Sequence, residues 1–221
     1  IIDSCDITNF PFLEVVAKRK MPILLSTGAS NISEINDAVN IIKRFNNRIS
    51  IMHCTLCYPT KPKDANLRAL IDIKKNFKNN ILGLSDHTLG VNIASSSILY
   101  GVRVIEKHFT YNKKLLKSAD HPISIDTKEL KLLRKNVDEL INAVGFEEKK
   151  VLQCENLTRK LARRSLVSSR IIRKGEKLNL LNITSKRPGT GISPKKFKMI
   201  VGKRAKRDIK EDKIIDKNDF C

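Results

Sequence analysis

Two histidines, His87 and His108, each follow a short apolar run that has the form of a β-strand. The runs are 81–84 and 102–105, and the segment 91–100 between them is long enough for a short helix. Such a strand–helix–strand unit has parallel strands, whose carboxyl ends meet at one edge of the sheet. Ligands bind at that edge in α/β folds, and imidazole is a common ligand of divalent metals. The spacing therefore predicts that His87 and His108 point into one site and share a metal ion.

Glu106 precedes His108 by two positions, so both side chains project to the same side of an extended strand. A carboxylate at this position can exchange a proton with a hydroxyl group or a water molecule. The structural alternatives are an ion pair inside the fold for Glu106 and hydrogen-bonded core positions for the two histidines. Lys107 points to the opposite side, and we expect it to be structural.

The elements that position these residues belong to a repeated strand–helix pattern over residues 1 to about 125. Strands are predicted at 22–26, 49–52, 81–84 and 102–105, with a strand remnant at 1–2. Helices are predicted after the first two of these, with Asn31 or Ser33 as the cap of the first, and a long helix at 127–144. The apolar face of the long helix is predicted to consist of Leu130, Leu133, Val137, Leu140 and Ile141. This alternation indicates an α/β fold with a parallel sheet.

Two α/β architectures fit this pattern, an open doubly wound sheet and a section of a (β/α)8 barrel. Every predicted strand ends in polar residues of the kind that form binding sites, which favours the barrel. A complete barrel takes ~250 residues, so we expect three or four further strands ahead of Ile1. The sequence is therefore interpreted as an N-terminally truncated barrel.

A second domain follows, and we place the boundary between 1–150 and 151–221. The charged segment 145–157 is interpreted as a linker, and the stretch 165–176 is β-like with a tight turn. Residues 170–178 resemble residues 207–215, which indicates a weak internal repeat in a small, turn-rich domain. Between the repeats, a loop rich in glycine and proline presents Arg187.

The composition is that of a globular protein, with 41% hydrophobic residues and no apolar run long enough to span a membrane. No signal peptide is recognisable, so we predict a cytoplasmic protein with reduced thiols. The formal charge of +20 attracts anions. No aromatic–basic stripe or reader motif accompanies it, so nucleic-acid binding is not expected as the main role. Cys54 and Cys57 form a single C-x-x-C, which without a second pair is a weak signal for zinc or redox chemistry.

The chain resembles the sialic acid (N-acetylneuraminate) synthase family, which includes legionaminic and pseudaminic acid synthases. The matching stretches run in order along the whole sequence: LSTG at 25–28, HCT at 53–55, YPT at 58–60, NL at 66–67, SDHT at 85–88, IEKHFT at 105–110, DH at 120–121, RRS at 163–165 and KRPGTGI at 186–192. The resemblance implies strands 4–8 of a (β/α)8 TIM barrel followed by a β-clip SAF (antifreeze-like) domain.

The resemblance also implies an activity. Members condense phosphoenolpyruvate with an N-acetylhexosamine, such as N-acetylmannosamine, to give a nine-carbon 2-keto acid and phosphate. A divalent metal, Mn²⁺ or Mg²⁺, held by His87 and His108 would polarise the sugar aldehyde. Because imidazole suits Mn²⁺ better than Mg²⁺, manganese is the better fit. Leu56 stands where many members have a polar residue near the sugar. The identity of the hexosamine is therefore not fixed, and a di-N-acetylated sugar is an alternative substrate.

Further roles follow from the matched motifs. Ser4, Ser26 and Ser85 end neighbouring strands and correspond to hydroxyls that bind the phosphate and carboxylate of phosphoenolpyruvate, although serines at strand ends are also common turn residues. Tyr58 and Asp120 correspond to residues that contact the sugar. Arg187 corresponds to an arginine that reaches the partner subunit's site, which implies a domain-swapped homodimer. The alternative is a catalytically incomplete fragment that serves only as an assembly or binding module.

Overall fold

The computed structural model describes residues 1–115 and 118–221, which form two compact units, Ile1–Gly145 and Phe146–Cys221. The described part of the first unit contains four parallel strands and five α-helices, with three short 3-10 helices between them. The strands are β1 (Ile23–Ser26), β2 (Ile49–Cys54), β3 (Ile81–Asp86) and β4 (Val104–Lys107). The α-helices are α1 (Phe10–Lys18), α2 (Ile32–Lys43), α3 (Ala69–Asn76), α4 (Asn92–Ser96) and α5 (Thr127–Val144), and the 3-10 helices are Ser4–Asp6, Pro62–Asp64 and Ser97–Tyr100.

The strands of the first unit lie in sequential order, β1-β2-β3-β4, and every pair is parallel. Beyond β1, Ile2 pairs with Leu25 and continues the same order. A doubly wound sheet reverses its order at a switch point, whereas consecutive strands of a barrel are neighbours. The described sheet is therefore a parallel half-barrel, and the complete barrel remains a prediction.

Side chains of the sheet alternate between a helix-facing side and an opposite side. On the helix-facing side, Leu25, Ile51, Leu82 and Leu84 are buried in one hydrophobic core with residues of α1, α2 and α3. The opposite side carries, in a single row across three strands, Cys54, Ser85 and Glu106. The sheet thus separates the apolar core from a row of polar side chains.

Position 83 on β3 must be glycine because the fully buried side chain of its β2 neighbour, Met52, occupies the space beside it. A Cβ atom at position 83 would overlap the sulfur of Met52 and would lie 3.1 Å from the carbonyl oxygen of Val104. The missing side chain lets Met52 fill the opposite side of the sheet below the polar row.

Local capping fixes where the helices begin. The side chain of Asn31 accepts a hydrogen bond from the N–H of Glu34, whose carboxylate accepts one from the N–H of Asn31, so Asn31 and not Ser33 caps α2. Asp126 and Glu129 form the same reciprocal pair at the start of α5. The helix predicted at 91–100 is instead α4 followed by a 3-10 turn, which ends at Gly101 with φ of 85°.

The second unit is built around one antiparallel pair, β5 (Ser165–Ser168) and β6 (Ile183–Lys186), and contains the helices α6 (Asn156–Ala162) and α7 (Phe197–Ile200) with 3-10 turns at Gln153–Glu155 and Pro194–Lys196. The two copies of the predicted repeat pair with each other. Ile172 and Ile209 occupy equivalent positions in the repeats and exchange backbone hydrogen bonds of 2.9 and 2.8 Å. Both side chains are buried in the core of this unit.

Two predictions about helices differ from the structure. The linker predicted at 145–157 ends earlier, because residues from Gln153 onward are helical. On α5, Leu133 and Val137 are buried, whereas Leu130 and Ile141 are 44% and 55% exposed, because no described element covers that part of the apolar stripe. None of the described helices combines the length and the apolarity that a membrane span needs.

Candidate active site

Polar residues gather where the four parallel strands end. Ser26 is the last residue of β1 and Cys54 of β2, while His87 and His108 come directly after β3 and β4. Because the strands are parallel neighbours, these residues lie at one edge of the sheet. The predicted site residues of the first unit therefore share one region of the fold.

The two histidine rings lie next to each other, with centroids 5.3 Å apart and ring planes inclined by 55°. Tyr58 lies against both: its ring centroid is 4.1 Å from that of His87, and it meets the ring of His108 edge-on at 5.8 Å. The phenol is half exposed. The structure thus brings His87, His108 and Tyr58 together as the sequence predicts, and their roles in binding remain predictions.

A hydrogen bond to a backbone carbonyl fixes the orientation of the His87 ring. Its Nδ1 lies 3.1 Å from the carbonyl oxygen of Thr55, which can only accept, so Nδ1 carries the proton and Nε2 the lone pair. Burial lowers the pKa of His87, but its contacts with Cys54 and the Thr55 carbonyl, together with the charge of Asp86, outweigh burial and raise the pKa.

Cys54 is a contributor to the site that the sequence did not identify. Its sulfur is buried and lies 3.8 Å from Nδ1 of His87. Burial raises the pKa of the Cys54 thiol, but hydrogen bonds with His87, Ser26 and Ser4 outweigh burial and lower the pKa. Its motif partner Cys57 is exposed and directs its sulfur toward the carbonyl of Pro59, so the C-x-x-C residues have different surroundings.

Glu106 projects from β4 with one buried carboxylate oxygen, Oε2, that has no hydrogen-bond partner among the described residues. In the strand register Glu106 stands beside Ser85, which is also buried. Buried polar atoms are normally paired, so an orphaned one at a strand end indicates a position that a ligand or water completes.

The predicted serines divide into a connected pair and a separate residue. Ser4 donates to Ser26 at 2.9 Å, and the backbone N–H of Gly28 donates to the Ser4 hydroxyl at 2.8 Å. Ser85 is two strands away from Ser26, on β3, and Cys54 of the intervening strand β2 is in register with it. The prediction that the three serines end neighbouring strands is therefore wrong for Ser85. Hydroxyls and a backbone N–H grouped in this way can bind an anion.

Asp120 and Arg187 have different relations to this cluster. Asp120 is exposed in the turn before α5. Burial raises the pKa of Tyr58, and the charge of Asp120 is among several that raise this pKa further. The neighbouring His121 is hydrogen-bonded to the hydroxyl of Thr110 at 2.9 Å. Arg187 lies in the second unit, exposed on the loop after β6.

The donor set suits a cation that takes only part of its coordination from protein. Among residues 1–115 and 118–221, no three histidine, cysteine or acidic side chains come together in metal-binding geometry. The adjacent pair His87 and His108 could therefore supply at most two nitrogen ligands, and other positions would be left to substrate oxygens and water. Mn²⁺ accepts such mixed nitrogen and oxygen ligation more readily than Mg²⁺.

The sequence also missed a buried ion pair next to the histidines. Lys107 and Asp86 are direct neighbours in the register of β3 and β4, and Nζ of Lys107 lies 2.8 Å from Oδ2 of Asp86. One indication of this ion pair was present in the sequence: strand alternation places Lys107 on the helix-facing side, opposite to Glu106.

Comparisons with family models account for most of the chain. The model described as NeuB family matches residues 2–149, and the SAF domain model matches residues 163–220.

Among individual proteins, an N,N'-diacetyllegionaminic acid synthase of Campylobacter jejuni is 39% identical over 219 residues, which are 97% of this chain and 64% of that protein. A pseudaminic acid synthase of the same species is 34% identical over 220 residues, 99% of this chain and 63% of that protein. The crystal structure of the N-acetylneuraminic acid synthetase of Leptospira borgpetersenii, in complex with citrate, matches with a TM-score of 0.65 and 32% identity, over 70% of this chain and 54% of that one. The chain spans just under two thirds of the length of both curated relatives.

Proposed function

This chain belongs to the NeuB family, and we propose that it carries active-site residues of a nonulosonic acid synthase. The reaction is the condensation of phosphoenolpyruvate with an N-acetylhexosamine, or a di-N-acetyl relative, to a nine-carbon 2-keto acid and phosphate. Family membership supports the reaction class, since the relatives named above are synthases of legionaminic, pseudaminic and N-acetylneuraminic acids.

The observation that carries the proposal is the adjacent pair of imidazoles at the strand ends. Their centroids are 5.3 Å apart, and the Thr55 carbonyl fixes the His87 tautomer so that Nε2 is the nitrogen available to a ligand. His87 and His108 would hold a divalent cation, for which we propose Mn²⁺. When bound, this cation would supply Lewis-acid polarisation of the sugar aldehyde.

Glu106 is the proposed proton carrier. Its orphaned oxygen is on the same side of β4 as His108, so a sugar hydroxyl or a water molecule between them could hydrogen-bond to the carboxylate. The carboxylate would accept a proton from that hydroxyl or water as the new bonds form.

The serine cluster is the proposed anion site. Ser4, Ser26 and the N–H of Gly28 form one connected set, and Ser85 adds a further buried hydroxyl two strands away. Neutral donors of this kind suit the phosphate and carboxylate of phosphoenolpyruvate because they bind charge without introducing a fixed cation.

The sugar-binding side is proposed to include Tyr58, which forms a half-exposed wall over both imidazoles, and Asp120, whose charge acts on that phenol. Arg187 of the second unit would complete the site of a partner subunit in a domain-swapped homodimer. The relatives differ in their named products, so the hexosamine is left open, and we propose a cytoplasmic reaction.

Binding of Mn²⁺ to the 221-residue chain tests the metal site directly. We expect the wild-type chain to bind Mn²⁺, measured by loss of the free-ion electron paramagnetic resonance signal. His87→Ala and His108→Ala should each bind at least about tenfold more weakly. His121→Ala is the matched control and should bind as wild type does, since His121 is engaged with Thr110. Equal binding by all four proteins would overturn the metal assignment.

The reaction itself is tested in the protein that carries this chain. We expect phosphate release only when phosphoenolpyruvate, an N-acetylated hexosamine and Mn²⁺ are all present. A panel of mono- and di-N-acetylated sugars then identifies the substrate. Phosphate release that is independent of every sugar in the panel would contradict the condensation.

A further inference from the structure

A buried ion pair joins the ends of β3 and β4 directly behind the two histidines. Asp86 and Lys107 are register partners, their side chains are only 2% and 3% exposed, and Nζ of Lys107 lies 2.8 Å from Oδ2 of Asp86. They follow Leu84 and Ile105 by two residues, so they lie on the helix-facing side of the sheet. The histidines next to them in sequence lie at the strand ends with their ring centroids 5.3 Å apart.

Thr88 closes this pair into a network. Its N–H donates to Oδ1 of Asp86 at 2.9 Å, its hydroxyl donates to Oδ2 at 3.1 Å, and its carbonyl accepts from Nζ of Lys107 at 2.6 Å. His87, between Asp86 and Thr88, is thereby held on both sides. Its own carbonyl oxygen accepts a further bond of 2.9 Å from the N–H of Thr60.

We propose that Asp86, Lys107 and Thr88 form a clamp that positions His87 and His108 toward each other. As a statement about a metal site, this inference rests on the proposed function. The clamp connects the residue before His87, the residue after it and the residue before His108. A change in any clamp bond would therefore shift one imidazole relative to the other.

The chemistry of the clamp fits positioning better than stabilisation. A buried ion pair is weak evidence for stability, since two apolar side chains of similar volume commonly serve the fold as well. An ion pair with directional hydrogen bonds specifies one arrangement where apolar packing would tolerate several. Its net charge is zero, so it adds no repulsion toward a bound cation.

The direct test measures the distance between the two imidazoles by nuclear Overhauser effects between their ring protons, in the 221-residue chain with labelled histidine. We expect a cross-peak between His87 and His108 in the wild type and its loss in Lys107→Met. Lys135→Met is the matched control, because it makes the same change in an exposed ion pair on α5 and should leave the cross-peak intact.

Thr88 supplies a milder pair of variants in case Lys107→Met does not fold. Thr88→Val removes the hydroxyl and keeps the branched shape, whereas Thr88→Ser keeps the hydroxyl. We expect Thr88→Val to weaken the cross-peak and to lower Mn²⁺ affinity by about tenfold, and Thr88→Ser to restore both.

The outcomes separate this inference from the proposed function. A wild-type chain that shows the cross-peak but does not bind Mn²⁺ would overturn the metal site and leave the clamp standing. Wild-type cross-peak intensity in folded Thr88→Val, or in folded Lys107→Met, would overturn the clamp even if Mn²⁺ binds. Absence of the cross-peak in the wild type would overturn it as well.

Discussion

Glu106 illustrates a conflict between folding and chemistry at the scale of one residue. Its buried Oε2 has no hydrogen-bond partner among the described residues, and an unpaired buried polar atom costs roughly 1–3 kcal/mol. A side chain selected only for the fold would not carry that atom. The cost is consistent with a group kept for contact with a ligand.

We therefore expect Glu106→Met to make the 221-residue chain more stable by roughly 1 kcal/mol, while the protein that carries it loses phosphate release. Thermal or denaturant unfolding of the chain measures the first effect. Glu129→Met removes a carboxylate that caps α5 and should lower stability. A loss of stability in Glu106→Met as large as in that control would mean that Glu106 has a structural partner.

Sequence reasoning predicted the location of the candidate site residues better than their contacts. The proximity of His87 and His108 followed from the strand-end positions, and the alternation rule separated Lys107 from Glu106. The contact between Cys54 and His87 was not predicted, because contacts between strands depend on the strand register, which cannot be read from a single sequence. The pairing of Lys107 with Asp86 was missed for the same reason.

Among the elements, the turn at 170–176 shows how the second unit stabilises an irregular chain. The carboxylate of Glu176 accepts hydrogen bonds from the side chain of Arg170, the N–H of Arg173 and the side-chain amide of Asn182. The bond from Arg170, with that from the Arg173 N–H, lowers the pKa of Glu176 from 4.5 to about 2. One carboxylate thus connects two residues of the turn, Arg170 and Arg173, with Asn182 outside it.

This shift predicts how the stability of the second unit depends on pH. A carboxyl group with a lower pKa in the folded state stabilises the fold above its unfolded pKa, and that contribution is lost as the pH falls from about 4.5 to about 2. The ion pair between Arg170 and Glu176 is partly solvated, so its effect on stability is small. We expect Glu176→Gln to lower the melting temperature at pH 7 and to differ less from wild type at pH 3. Glu211→Gln, an exposed control, should differ little at either pH, and a pH-independent difference for Glu176→Gln would contradict the assignment.

Element boundaries were predictable where a local signal exists. Asn31, followed three residues later by Glu34, marks the start of α2. The repeat around Ile172 and Ile209 was also visible in the sequence, but the pairing of its two copies was not predicted. The helix predicted at 91–100 was only partly right, since its second half tightens to a 3-10 turn. Nothing local in the apolar stripe of α5 indicates that Leu130 and Ile141 lie outside the core.

At the scale of the whole molecule, the chain divides into two compact units, and the boundary along the chain lies between Gly145 and Phe146. Residues 145–152 are exposed and contain neither helix nor strand. Such segments are the preferred sites of proteolytic cleavage. The family models respect the same division, with one match ending at residue 149 and the other beginning at residue 163.

We expect limited trypsin digestion to cut first after Lys149 or Lys150 and to give two fragments that resist further cleavage. Mass spectrometry of the early products identifies the site. The variant with both lysines changed to glutamine should be cut more slowly, while replacement of Lys131 and Lys135 on α5 should not change the rate. A first cut within α2 or α5 would contradict the division.

The alternation at the ends of β3 and β4 limits how this protein can change. At the end of both strands a candidate site side chain and a side chain of the buried ion pair occupy adjacent positions, as in Asp86-His87 and Lys107-His108. Inserting or deleting one residue in either strand would exchange the two sets. An imidazole would then lie on the helix-facing side of the sheet, and a lysine or aspartate would take its place on the opposite side. Viable length variants of these strands should therefore differ by two residues, and loops should absorb every odd-numbered change.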